Sequence, residues 1–299
     1  MNGIVHESPS NDVTLSDTIK RLVGLYNSGQ HDFIGNELAN ALDQHPNCAD
    51  LWNIAGGLAN HFGELELAIG SFGKVLELAP HLHIPNLNLG LIYQQMGELE
   101  LAANNFKEAL DKKPDDIQIL NNLASLRKSQ ERFDEAAEIY DTGLSLDPNN
   151  IDLNFNSAVV MHTLGNLSEA VIRYKKVISA SSENCPVLFN LGTAYLELEE
   201  FSQASECFNQ ILNMGTQDPE VYYNLGVALM QMGEDKDATK QFHKTLELQP
   251  NHLKASINLG EIQSNNHDYD SAIDIYQQGI SRFEASNTST IIEKINETN

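Results

Sequence analysis

Apolar residues recur at i, i+3, i+4 and i+7 along most of the chain, as in Leu188, Leu191, Gly192 and Tyr195. That is the period of an amphipathic helix rather than of a strand. The pattern itself repeats. Ala68, Ala102, Ala136, Ala170, Ala204, Ala238 and Ala272 stand 34 residues apart without insertion or deletion. Four residues after each comes a ring: Phe72, Phe106, Tyr140, Tyr174, Phe208, Phe242 and Tyr276. Twelve residues before each comes a small residue: Gly56, Gly90, Ala124, Ala158, Gly192, Gly226 and Gly260. Proline closes five units of eight, at Pro46, Pro80, Pro114, Pro148 and Pro250.

Each unit therefore predicts two helices joined by a tight turn. Gly63, Gly97, Gly165 and Gly233 fall at that turn, where a left-handed residue best ends the first helix. The proline ends the second helix. The small residue and the alanine let two backbones approach closely, and the ring fills the gap beside them. An array of stacked units explains so strict a step, because every unit must present the same surface to its neighbour.

The spacing and residue types resemble the tetratricopeptide repeat. Leu89-Gly90, Tyr93, Ala102, Phe106, Ala109 and Pro114 follow its pattern almost completely, and Trp52 fills the large-residue position of its unit. The resemblance covers about nine-tenths of the chain, from Leu15 to Ser286. It implies an all-α fold, a right-handed superhelical α-solenoid of about eight helix–turn–helix units starting near 15, 49, 83, 117, 151, 185, 219 and 253. In style it is similar to the repeat arrays of O-linked N-acetylglucosamine transferases and of some bacterial sulfotransferase proteins, here without a catalytic domain.

The first unit departs from the pattern, with Ile34 in place of the alanine and Leu38 in place of the ring. Ser182 and Thr216 replace proline at two junctions, while Pro186 and Pro219 fall at the start of the next helix, where proline is tolerated. These changes predict an altered angle between units there. Residues 1–14 are polar and read as disordered. A Ser/Thr/Asn-rich bend is expected after Ser286, followed by a tail or short capping helix over 287–299 that carries Ile291, Ile292 and Ile295.

The formal charge of −24 argues against nucleic acid or an anionic membrane as partner, since both are polyanions. Cys48, Cys185 and Cys207 are too few and too scattered for a disulfide framework or a zinc knuckle, and suit a reducing cytoplasm. The sequence shows neither a signal-peptide pattern nor an apolar run long enough to span a membrane. Candidate chemistry is sparse. Gly70-Ser71-Phe72-Gly73-Lys74 lacks the spacing and following hydroxyl of a phosphate loop. His81-Leu82-His83 has no carboxylate or cysteine at ligand spacing, and Asp115-Asp116 reads as a helix start, where carboxylates favour the dipole. The Asn-X-Ser/Thr sequons at Asn166, Asn287 and Asn296 read as chance matches. No catalytic residue, metal site or cofactor is expected.

One polar column is as regular as the alanines: Asn88, Asn122, Asn156, Asn190, Asn224 and Asn258, all in the first helix of their units. Asparagine is a mediocre helix former, so propensity does not explain them. The helix turn puts them on the inner, concave side. Leu87, Phe155, Phe189, Tyr223 and Ile257 precede them, and Leu91, Val159 and Val227 follow three residues on. Of 21 positions in these three columns only Glu261 is charged, where the 20% charged composition would give about four. An amide offers both donor and acceptor, so the strip suits an extended peptide backbone and apolar side chains. Repeat proteins that clamp carboxylate termini need inner lysines and arginines; only Lys128 and Lys254 fall there. The sequence thus points to a non-catalytic scaffold that binds a protein or peptide partner. A substrate-recognition arm for a separate transferase, and self-association through the end faces, stand as alternatives.

Overall fold

The computed structural model describes residues 14–298, with side chains placed as far as Ser286. Among the described residues it holds sixteen α-helices, one 3₁₀ turn and no strand. The chain divides into two compact units, Met1–Arg132 and Phe133–Asn299. The first contains α1 (Leu15–Asn27), the 3₁₀ turn (His31–Phe33), α2 (Gly35–Gln44), α3 (Ala49–His61), α4 (Leu65–Leu78), α5 (Ile84–Gln95), α6 (Leu99–Lys112) and α7 (Ile117–Ser129). The second contains α8 (Phe133–Leu146), α9 (Ile151–Thr163), α10 (Leu167–Ala180), α11 (Cys185–Glu197), α12 (Phe201–Asn213), α13 (Pro219–Gln231), α14 (Asp235–Leu248), α15 (Leu253–Asn265) and α16 (Tyr269–Thr298). The odd-numbered helices up to α7 and from α9 are the first helices of the repeats, and each starts within one residue of the 34-residue step.

Within each compact unit, α1, α3, α5, α9, α11, α13 and α15 each pack against their own second helix, and second helices pack against the next repeat. First helices of successive repeats also touch directly: α5 with α7, α9 with α11, α11 with α13 and α13 with α15.

The packing columns explain the residue types. Phe72, Phe106, Tyr174, Phe208 and Phe242 are at most 1% exposed. A Cβ added to Gly56, Gly90, Gly192 or Gly226 would lie 2.5 to 2.8 Å from the ring of its own repeat. The helices approach until ring meets backbone, and only a very small residue fits there.

The turns follow the expected register and extend it. Gly63, Gly97, Gly165 and Gly233 have φ of +76° to +79°. Glu131, Glu199 and His267 occupy the same step with φ of +59°, +60° and +64°. The geometry is dictated by the stack, so residues other than glycine are forced into it at a cost.

The helix starts are capped by side chains at another 34-residue step. Asp116, Asn150, Asn184 and Asp218 each accept from backbone N–H groups of the first turn. His252 takes that place at α15, its Nδ1 accepting from the Ala255 N–H at 3.1 Å. Pro186 and Pro219 sit in the first turns of α11 and α13. At the proline-free junction after α12, Gly215 turns the chain with φ +88°.

In the first repeat Ile34 and Leu38 are buried and fill the alanine and ring positions. Their bulk goes with a 3₁₀ turn and a second helix of only 10 residues, where α4 and α6 have 14. The bend expected after Ser286 is not there: α16 runs unbroken through it for 30 residues. No glycine or proline interrupts residues 280–298, so nothing stops the i→i−4 ladder once α16 is nucleated. Residues 1–13, expected to be disordered, lie outside the described residues, as do the side chains of Ile291, Ile292 and Ile295.

Candidate functional site: the asparagine strip on the first helices

The six asparagines fall on helices whose small and apolar neighbours fix their orientation. In α11, Leu188, Leu191, Gly192 and Tyr195 are buried, leaving Phe189 and Asn190 half-buried at the margin of the packed face. Asn88, Asn122, Asn156, Asn224 and Asn258 are half-buried in the same way. None of the six lies in the fully buried packing layer.

In the first compact unit the strip is short. Asn88 and Asn122 lie on α5 and α7, which touch each other. Leu87, expected beside Asn88 on the binding surface, is only 3% exposed and belongs to the core. A half-buried strip position is apolar in either role, so its hydrophobicity could not tell lining from packing.

In the second unit the strip is longer and ringed. Phe155, Phe189 and Tyr223 lie against the packing rings of their own repeats, with centroids 6.4 Å from Tyr174, 5.9 Å from Phe208 and 6.0 Å from Phe242. Each aromatic thus has one side on the core and another toward the strip. Burial raises the Tyr174 hydroxyl pKa, keeping it neutral. Burial also raises that of Tyr223, against a hydrogen bond from Asn258 that favours the phenolate, with Glu220 adding to the rise.

The amides are not equivalent. Asn258 lies near enough to Tyr223 to favour its phenolate. Asn224 Nδ2 donates to the Glu220 carbonyl one turn earlier at 2.9 Å, and Asn156 is also engaged. No side-chain hydrogen bond engages Asn88, Asn122 or Asn190 among the described residues.

Asn190 stands out by its surroundings. It lines a hollow of ≈ 410 Å³ with Val159, His162, Thr163, Tyr174 and Glu197. It also lines one of ≈ 310 Å³ with Cys185, Pro186, Phe189 and Val221 among others. His162 Nε2 and Glu197 Oε1 are 3.1 Å apart at the first hollow. Sequence reasoning had missed His162. The signal was present, since it stands one repeat after Lys128, already placed on the inner side. Lys128 is half-buried and burial lowers its pKa, while Lys254 is exposed at the start of α15.

Elsewhere, His83 Nε2 lies 3.6 Å from Asp116 Oδ2, a carboxylate that local sequence spacing did not reveal because it stands 33 residues on, at the cap of α7. Among the described residues no group of three or more His, Cys, Asp or Glu could hold a metal ion, and no helix is long and apolar enough to cross a membrane. Asp115-Asp116 was correctly read as a helix start: Asp116 caps α7.

Two family models match the chain. One of tetratricopeptide repeats matches residues 36–82, 87–151 and 122–184. One of YpiA-like C-terminal tetratricopeptide repeats matches 185–252. The chain belongs to the tetratricopeptide-repeat proteins. No curated protein matches it. Among solved structures, it is similar to YrrB, a tetratricopeptide-repeat protein with an unusual peptide-binding site, at 23% identity and TM-score 0.55 over 64% of this chain and 100% of that one. It is similar to pilF of Pseudomonas aeruginosa at 20% identity and TM-score 0.56, covering 73% and 97%. MamA from Desulfovibrio magneticus RS-1 follows at 17% and 0.54, covering 57% and 96%. At such identities the likeness is one of fold: stacked tetratricopeptide helix pairs.

Proposed function

We propose that this tetratricopeptide-repeat protein is a non-catalytic interaction scaffold that holds an extended peptide segment of a partner along the first helices of its second compact unit, centred on Asn190. One observation carries the reading: a side-chain amide with no hydrogen-bond partner among the described residues lines two hollows beside Phe189 and His162. Such an amide can give and take a hydrogen bond from a peptide group, while the half-exposed rings receive apolar side chains. The peptide-binding site of YrrB, on the same fold, supports it. Asn224, bonded within the protein, would serve as a second contact that exchanges its internal bond. Three free cysteines suit a reducing compartment such as the cytoplasm.

Peptides selected from a random library on the full chain supply the probe. Asn156→Ala with Asn190→Ala should weaken them at least tenfold with helicity unchanged, whereas exposed Asn209→Ala on α12 should not. Equal affinity of all three proteins, or no enriched peptide, would reject the strip. The same strip would serve a recognition arm for a separate transferase; co-purification with a catalytic subunit distinguishes that case.

A further inference from the structure

The first compact unit carries a second surface, at the turns that join first to second helices. Phe33 is 72% exposed, Phe62 52%, Leu67 55%, Met96 42% and Leu101 44%. Phe33, Leu67 and Leu101 stand at one 34-residue register, each just before the buried residue of the alanine column, Ile34, Ala68 or Ala102. Packing does not ask for an apolar residue there. The next two repeats have Glu135 and Glu169 at that register and form their helices equally well.

The residues form one edge. Contacts at an offset of 30 residues join adjacent turns. The His31 and His61 rings have centroids 3.8 Å apart, and Gln130 Nε2 donates to Glu100 Oε1 at 3.3 Å. Together the five side chains expose on the order of 500 Å² of apolar surface, the size of the largest patch on an ordinary monomer, where such patches are often functional.

The edge is also acidic. The hexapeptide Gly-Glu-Leu-Glu-Leu-Ala occurs twice, at 63–68 and 97–102. Glu64, Glu66, Glu98 and Glu100 are exposed around the apolar side chains. No lysine or arginine occurs in residues 22–73 or 75–106. An acidic lipid or nucleic acid is repelled by such an edge, and a cation is drawn to it.

The spacing selects the partner's shape. Because α5 and α7 touch directly, one repeat step is about one interhelix distance, roughly 8–10 Å. Residues i, i+7 and i+14 of an α-helix lie about 10.5 Å apart along its axis. We infer that this edge of the first unit docks a cationic amphipathic helix of a partner protein, its apolar residues meeting Phe33, Phe62, Leu67, Met96 and Leu101 and its lysines or arginines meeting the glutamates.

The probe is a fluorescein-labelled helical peptide of about 18 residues, leucine on one face and lysine on the other, titrated into the full chain at physiological salt. The wild type should bind it. Phe62→Ser/Leu67→Ser/Leu101→Ser, all at exposed positions, should raise Kd at least tenfold with circular dichroism unchanged. Glu66→Lys/Glu100→Lys should do the same, and Asn190→Ala should have no effect. Equal binding by the serine variant would reduce the interaction to general attraction by an acidic protein and overturn the proposal. So would no binding by the wild type, or equal binding of a leucine–glutamate peptide. A wild-type dimer dissolved by the serine substitutions would assign the edge to a second copy of the chain and overturn it too.

Discussion

Gly90→Ala is the sharpest test of why the repeats contain glycine. The new Cβ would meet Phe106 Cδ1 and Cε1 at 2.5 Å, where carbon atoms prefer about 3.5–4.0 Å. The ring must retreat by about 1 Å, yet it is fully buried. Overpacking of this kind costs about 1–3 kcal/mol. Alanine returns about 0.8–1.0 kcal/mol of helix propensity, so the net loss should be about 0–2 kcal/mol. Gly70→Ala separates the two effects. Gly70 lies inside α4 of the same compact unit, and its added Cβ meets nothing within 4 Å. It should gain the propensity alone, about 1 kcal/mol. The two variants should therefore differ by about 1–3 kcal/mol. Urea titrations followed by far-ultraviolet circular dichroism measure this, with the slope checked so that only the midpoint moves. In a Phe106→Leu background the Gly90→Ala penalty should largely vanish, since the two sites couple through the ring edge. Equal shifts for Gly70→Ala and Gly90→Ala would refute the close-packing account.

Glu131→Gly and Glu199→Gly should each raise stability by roughly 0.5–1 kcal/mol, the left-handed strain relieved less the entropy glycine adds to the unfolded chain; an unchanged melting temperature would count against this. Asp116→Ala should cost about 1 kcal/mol at neutral pH by loss of the α7 cap. Burial works against the Asp116 charge, but the Lys113 side chain and the Ile119 and Gln118 N–H groups prevail and hold its carboxyl below the usual value. A lowered native pKa stabilises above the unfolded value and fades as pH falls through the native one. The Asp116→Ala penalty should therefore shrink in acid, and a penalty constant with pH would contradict it. Thiol reagents at neutral pH should label Cys48 and Cys185 well before Cys207, whose thiol is pushed up to about 11 by burial and by Glu206, against Lys175; equal rates by mass spectrometry would contradict its burial.

The packing columns were legible in the sequence because each answers a constraint that recurs in every repeat. Gly90, Ala102 and Phe106 are one contact written three times, and a 34-residue step repeats it. What stayed hidden depends on context rather than type. Glu131, Glu199 and His267 carry no left-handed signature of their own, and the stack imposes it on them. Leu87 looks like a groove residue and is core. His252 replaces an Asp/Asn cap with an imidazole nitrogen. The Ser/Thr/Asn run after Ser286 reads as a breaker, yet α16 passes through it because mild disfavour at single residues does not stop an established helix. In the asparagine strip the register was readable, but which amides are already bonded was not: Asn190 and Asn224 are identical in sequence position and differ in their surroundings.

A repeat array fixes few columns and leaves the rest free, so recognition can be added without disturbing the stack. The turn edge shows this within one chain. Leu67 and Leu101 sit where Glu135, Glu169 and Asp237 sit in later repeats, and the helices begin alike. Stability cannot be what keeps leucine at an exposed register that glutamate fills as well. Leu67→Ser and Leu101→Ser should accordingly shift stability by no more than about 0.5 kcal/mol each, far less than about 3–5 kcal/mol for Phe106→Ala at its buried register. A large loss from the exposed leucines would show them to be packing residues and would remove the ground for a docking edge. A small one leaves their apolar character to be explained by something outside the fold.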